Sequence, residues 1–205
     1  GENLIEKIFL VGLDEELIIL SKKIGLNLSG VIDIDENAKH KELSIYQEKQ
    51  LNFIENKIDS VIIGIDSPEK KKYLNSIYEN ANIRIASLLY TTLNSSCSTK
   101  DGLIIQENAI ISNNCNFGKN VKVNIGATIM HDNIIGNFVT IAPRAVLLGR
   151  VIIEDCVFIG ANATILPNVI VGRNSIVGAG AVVTKDVPHN TIARGVPARF
   201  YKKND

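Results

Sequence analysis

Several features are missing from this 205-residue chain, and each absence removes a class of function. It carries no net charge, because 22 Lys and Arg residues balance 22 Asp and Glu. No basic block stands out either, so the electrostatic footprint of a nucleic-acid or anionic-membrane binder is missing. Long apolar runs are absent: stretches such as 58–65 fall far short of the ~20 residues a membrane-spanning helix needs. No signal-peptide pattern opens the chain, which makes the cytoplasm the expected location, and Gly1 is left out of the fold reading. The three cysteines, Cys97, Cys115 and Cys156, show no CxxC spacing. Neither a disulfide framework nor a metal site is expected of them, and they read as small buried hydrophobes. Small molecules and other proteins remain as partners.

What is present falls into two rhythms. Residues 7–90 alternate short apolar runs with polar segments of helical character. Strands are predicted over 7–12 (KIFLVG), 29–35 (SGVIDID), 59–65 (DSVIIGI) and 83–89 (IRIASLL), with helices over 15–24, 47–57 and 67–80. Ser67-Pro68 supplies an N-cap followed by proline at the first helical position. Strands alternating with helices predict a parallel sheet with helices on its faces, a Rossmann-like α/β unit. Ligands of such sheets bind beyond the carboxyl ends of the strands, here Gly12, Leu13 and Asp14, then Asp33 to Asp35, then Gly64 and Ile65.

A further scarcity bears on that ligand. A dinucleotide turn needs glycines where backbone approaches the pyrophosphate, and KIFLV is followed by a lone Gly12 and then Leu-Asp-Glu-Glu. The fingerprint fails. Glu15 and Glu16 suit a helix start and would repel a phosphate. Asp33 and Asp35 have two readings, a solvated turn or a hold on the base or hydroxyls of a ligand.

From Ile105 the chain keeps a period of six. Every sixth residue from Ile105 to Val183 is apolar, and the residue four further on, from Ala109 to Val187, is small or no bulkier than valine except at Asn133. A six-residue period fits neither an amphipathic helix nor a hairpin meander; it is the signature of a parallel β-helix. In such a prism the large and the small residue of each hexad point inward, and glycine and asparagine serve the corners. Within this column ATIMHDNIIGNFVTIAP (127–143) is unusual for placing His131 and Asp132 beside Asn133. Imidazole is suited to taking a proton near neutral pH, and a site that breaks the packing rule locally marks where chemistry is expected. His40 and His189 lie outside comparable motifs and read as surface residues.

The hexads, together with HDNIIGNFVTIAP, LLG at 147–149, FIGANATILPNV at 158–169, IVGAGAVVTKDVP at 176–188 and GVPAR at 195–199, resemble the sialic acid O-acetyltransferase and bacillosamine-pathway sugar N-acetyltransferase family. That resemblance implies a left-handed β-helix over 93–205, preceded by a Rossmann-like nucleotide-sugar domain over 1–92. It implies an enzyme that moves acetyl from acetyl-CoA to the amine of a nucleotide-linked 4-amino-4,6-dideoxy sugar, without a metal. It also implies His131 as base, Asp132 as the acid that strengthens it, and the Gly149 N–H as oxyanion donor. For acetyl-CoA it points to Thr140, Gly160, Ala161, Gly178 and Ala179, with Lys185 and Arg199 toward the phosphates. For the sugar nucleotide the candidates are Gly12, Leu13, Asp14, Asp33, Asp35 and Gly64. A homotrimer with the histidine between adjacent prisms is implied too. Where relatives have histidine this chain has Thr140, and Tyr90-Thr91 replaces a frequent His-Pro. The alternatives are O-acetylation of a sialic-type sugar and a trimeric sugar-binding scaffold without turnover.

Overall fold

The computed structural model of the chain describes residues 6–48 and 57–203. The amino-terminal layer is a five-stranded parallel sheet of β1 (Ile8–Val11), β2 (Leu28–Asp33), β3 (Ile45–Gln47), β4 (Ser60–Ile63) and β5 (Arg84–Ile85), in the order β3-β2-β1-β4-β5. β1 and β4 are buried along their length and apolar but for Ser60, as central strands covered on both faces must be. Two helices are described here. α1 (Glu15–Lys23) is capped by Asp14, whose carboxylate accepts the Leu17 N–H, with Glu15 and Glu16 in its first turn. α2 (Pro68–Asn80) is capped by Ser67, with proline entering the first turn as the sequence predicts.

Three details differ from expectation. β3 forms in a stretch expected to be polar loop: Tyr46 meets the Phe9 ring edge-on at 5.7 Å between centroids, and that contact outweighs the polar composition around it. The helix expected over 47–57 falls almost wholly outside the described residues. The single strand expected over 83–89 is two. β5 completes the amino-terminal sheet, whereas β6 (Leu88–Leu89) turns into the second layer and pairs with Ile104 and Ile105. Leu88 and Leu89 thus form the first rung of that face's ladder.

From β7 (Ser98–Thr99) to β21 (Val182–Val183) one two-residue strand recurs every six residues. Strands three apart pair in parallel, as Lys122 does with Thr140, so one coil takes eighteen residues and the coils stack into three sheets. One face holds β7, β10, β13, β16 and β19; a second holds β9, β12, β15, β18 and β21. The third runs from β6 through β8, β11, β14, β17 and β20 to β22 (Thr191–Arg194) and β23 (Arg199–Lys202). The antiparallel β22–β23 hairpin ends this face by pairing its last parallel strand. The inward column is as the hexads predict: residues from Ile105 to Val183 and from Cys115 to Val187 form one continuous core, with Ala109 and Ile111 partly covered at its margin.

The corners are organised differently from expectation. Every sixth residue from Asn108 to Gly180 has a positive φ, and most are not glycine; they include Asp132, Phe138 and Arg150. Asparagine and aspartate tolerate this region better than other residues with a Cβ. The glycines that follow the large apolar residue serve instead for close approach. A Cβ on Gly160 would stand 2.5 Å from the backbone nitrogen of Ala179 on the next coil.

The amino-terminal layer sits on the third face. Outward-facing Ile104, Lys122 and Thr140 are buried under it, and Ile104 and Leu88 join Leu10, Leu17 and Leu20 in one apolar cluster. Lys119 pairs with Glu79 at 2.7 Å on one side of the face and Lys23 with Glu107 on the other.

Candidate active site

The prism edge opposite the covered face is the one between β12 (Thr128–Ile129) and β13 (Ile134–Ile135), and it carries residues 130–133. Asp132 occupies its left-handed corner at φ 60°. That turn brings its carboxylate back to its neighbour, so that Oδ2 lies 2.7 Å from His131 Nδ1, while Oδ1 accepts from Asn114 Nδ2 at 3.0 Å. The hydrogen bond from His131, then that from Asn114, holds the Asp132 carboxyl below its ordinary value. A carboxylate can only accept, so Nδ1 is the donor, and in the neutral ring that leaves the lone pair on Nε2. The His131 side chain is 39% exposed, which leaves Nε2 open to an arriving molecule.

One coil further on stands Gly149. A Cβ there would lie 2.7 Å from both Cε1 and Nε2 of His131, so only glycine leaves the imidazole its seat. Among the described residues nothing accepts from the Gly149 N–H, while the neighbouring Leu148 and Arg150 N–H groups pair across coils. Asn133 explains the break in the small-residue column. Fully buried, it donates from Nδ2 to Met130 O at 2.6 Å and Leu148 O at 3.0 Å and accepts from Val151 N at 3.1 Å. It locks the coil of His131 to that of Gly149, a bridge made by an amide and by none of the column's aliphatic side chains.

Lys185 belongs to the same edge, three coils on, or ~14 Å along the prism at the ~4.8 Å strand spacing. With Arg199, Thr184 and Tyr201 it lines a cavity of about 510 Å³ at the carboxyl-terminal hairpin. Gly160, Ala161, Gly178 and Ala179 are placed elsewhere, on the neighbouring edge that leads into the second face. Within one chain they do not meet His131.

Thr140 requires correction. It is fully buried beneath the amino-terminal layer, its hydroxyl donating to Asp66 O at 2.6 Å and accepting from Lys71 Nζ at 2.7 Å. No acetyl-CoA can touch it. His40 is corrected too: its side chain is only 8% exposed, accepting the Glu42 and Leu43 N–H groups at Nδ1 and facing Glu15 through Nε2. His189 is exposed, as expected, and pairs with Glu154 at 2.8 Å.

A separate cavity of about 400 Å³ opens at the carboxyl ends of β1, β2 and β4, where the sheet topology predicts a ligand. Gly12 and Asp33 line it, together with Ile34, Ile65, Ser67 and Tyr73. Asp33 is tied down, Oδ2 accepting the Leu13 N–H at 2.6 Å and Oδ1 the Asp35 N–H at 2.8 Å. Four candidates do not line it. Leu13 gives its N–H to that carboxylate. Asp14 caps α1 and meets Lys122. Asp35 caps the following turn through Asn37. Gly64 is packed so tightly that a Cβ would fall 2.8 Å from Leu17. Lys70 and Tyr73 are lining residues the sequence left unremarked, and Ser67 is read there only as an N-cap, since a polar helix start looks the same whether it faces solvent or a cavity.

The class of protein follows from these features: a parallel β-helix of hexapeptide repeats carrying a parallel α/β layer on one face. Residues 150–185 match the family model described as bacterial transferase hexapeptide (six repeats). Among solved structures, the chain is similar to PerB from Caulobacter crescentus in complex with CoA and GDP-perosamine (21% identity, 96% of this chain and 98% of that one, TM-score 0.89). It is also similar to the acetyltransferase domain of PglB from Neisseria gonorrhoeae in complex with acetyl coenzyme A (20%, 96% and 99%, TM-score 0.87) and to WeeI from Acinetobacter baumannii (22%, 96% and 100%, TM-score 0.65). At these identities the likeness establishes the fold, and it spans both layers. No curated protein sequence matches the chain. No helix among the described residues is long and apolar enough to cross a membrane, and no group of His, Cys, Asp and Glu among them could hold a metal ion.

Proposed function

We propose that the chain is an acetyl-CoA-dependent N-acetyltransferase acting on the amine of a nucleotide-linked 4-amino-4,6-dideoxy sugar. One observation carries the reading: a carboxylate-paired imidazole stands with Nε2 free on a prism edge, over a glycine whose N–H is unpaired. Nε2 takes a proton from the acceptor nitrogen as that nitrogen attacks the thioester carbon. The Gly149 N–H stabilises the oxyanion of the tetrahedral intermediate. Its collapse breaks the C–S bond, and the imidazolium returns the proton to the departing thiolate. Lys185 and Arg199, sharing one cavity, receive phosphates of the coenzyme. The solved structures of similar fold hold CoA with GDP-perosamine in one case and acetyl coenzyme A in another, which supports both ligand classes.

Residues 1–92, the Rossmann-like part, take the sugar nucleotide in the 400 Å³ cavity, and residues 93–205 carry the transfer. The amino-terminal layer lies on the face opposite the His131 edge, so a chain's own cavity belongs to a layer across the prism from its own imidazole. A homotrimer resolves this, with the His131 edge of one copy meeting the cavity and the Gly160–Gly178 edge of another. The exposed apolar stripe of Ile134 and Ile170 beside His131 needs such cover. We place the enzyme in the cytoplasm, where acetyl-CoA is available. The test is a panel of UDP-, GDP- and dTDP-linked amino sugars incubated with acetyl-CoA and followed by thiol release, with mass spectrometry of the product. One acceptor gaining an N-acetyl group, from a protein of trimeric solution mass, is the expected result; no thiol release above background with any acceptor overturns the reading.

A further inference from the structure

Two lysines cross the interface between the layers in opposite directions, and both are buried. Lys71 leaves α2 and donates to Val139 O and Thr140 Oγ1, each at 2.7 Å. Lys122 leaves the β-helix face, itself 1% exposed, and its ammonium reaches Gly64 O at 2.9 Å and Asp14 Oδ2 and Asp66 Oδ1 at 3.2 Å each. Thr140 adds a hydrogen bond to Asp66 O, and Asn124 Nδ2 lies 3.4 Å from Asp66 Oδ1. In the loop after β4 these contacts fall on alternate residues: Gly64 and Asp66 are gripped from the β-helix side, while Ile65 and Ser67 line the amino-terminal cavity. In extended chain, neighbouring residues face opposite ways, so a hold on one set fixes the other. After β1, Asp14 is gripped two residues beyond Gly12, which lines the cavity, so the hold there pins the end of the segment that carries Gly12.

We propose that Lys122 and Thr140 are positioning residues for the amino-terminal cavity, setting its two loops from the β-helix face without touching its ligand. The nucleotide named in the second measurement rests on the proposed function; the loop geometry does not. Lys122 is an economical anchor because one ammonium supplies three donors to three acceptors on two loops. Asp14 and Asp66 are 23% and 56% exposed, so water can take them up when the lysine is removed and the variant can fold.

The first measurement is hydrogen–deuterium exchange of the full chain for Lys122→Met, Thr140→Val and Thr140→Ser. Amides of 64–67 in both Lys122→Met and Thr140→Val, and those of 12–14 in Lys122→Met, should exchange at least tenfold faster while those of 141–183 stay unchanged, and Thr140→Ser should restore the slow rate. Unchanged loops, or equal acceleration throughout the chain, overturn the proposal. The second is calorimetric binding of GDP, UDP, dTDP and acetyl-CoA. The nucleotide that binds the wild type should bind Lys122→Met about tenfold more weakly, a loss of ~1.4 kcal/mol, with acetyl-CoA affinity retained. Equal nucleotide affinity overturns the link to the ligand. If none of the three nucleotides binds the wild type, the nucleotide-sugar reading falls, and the exchange pattern still decides whether these residues position the loops.

Discussion

His131 works as a base in this account because of two neighbours, and each was legible to a different degree. Asp132 is adjacent in sequence, and the left-handed corner turns adjacency into a 2.7 Å contact. Gly149 was legible only through the motif resemblance, since nothing in a lone glycine says which side chain lies over it. The contact predicts a variant. Gly149→Ala puts a methyl 2.7 Å from Nε2, and the ring must tilt away from Asp132 to escape it. Thiol release should fall by about 10² at saturating acetyl-CoA, in line with misplacing a proton-transfer group, with the fold unchanged by circular dichroism. A rate within twofold of wild type would show that the glycine has no part in seating the imidazole. Thr140 was misread for the opposite reason: the motif position is right, but the hydroxyl is spent on Lys71 and Asp66, contacts made by residues some seventy positions earlier in the chain.

At the scale of elements, the hexad period gave the β-helix almost whole, because each strand repeats one local rule and the eighteen-residue coil follows from three of them. The amino-terminal layer was less legible. β3 and the division between β5 and β6 depend on which sheet edge a short segment meets, and no local period encodes that. α2 was readable from its cap, but not its seat on the β-helix through Lys71. Burial lowers the Lys71 pKa to about 7, against a partial opposing effect of Asp66. The unfolded chain then binds a proton that the folded chain does not between about pH 7 and the ordinary lysine value of 10.5, so stability rises with pH across that window and is lost as pH falls through it. Urea titrations at pH 7 to 10 should show this rise, on the order of a few kcal/mol. Lys71→Met should flatten it. The same slope in the variant would mean that Lys71 is charged and paired in the folded protein.

The whole molecule separates two tasks along the prism. The covered face holds the cavity at the carboxyl ends of the amino-terminal sheet, and the opposite edge holds His131, with Lys185 further along it. In the proposed trimer, cavity and base come from different copies. That arrangement has no signature in one sequence, because an outward Ile134 looks the same whether it faces water or a neighbour. The account's central claim is that the His131 imidazole takes the acceptor's proton. It is tested most directly by the steady-state rate of thiol release from acetyl-CoA in His131→Ala, with the acceptor that the wild type turns over. The rate should drop by about 10²–10⁴ while acetyl-CoA still binds with wild-type affinity, whereas a rate equal to that of the wild type would contradict the account.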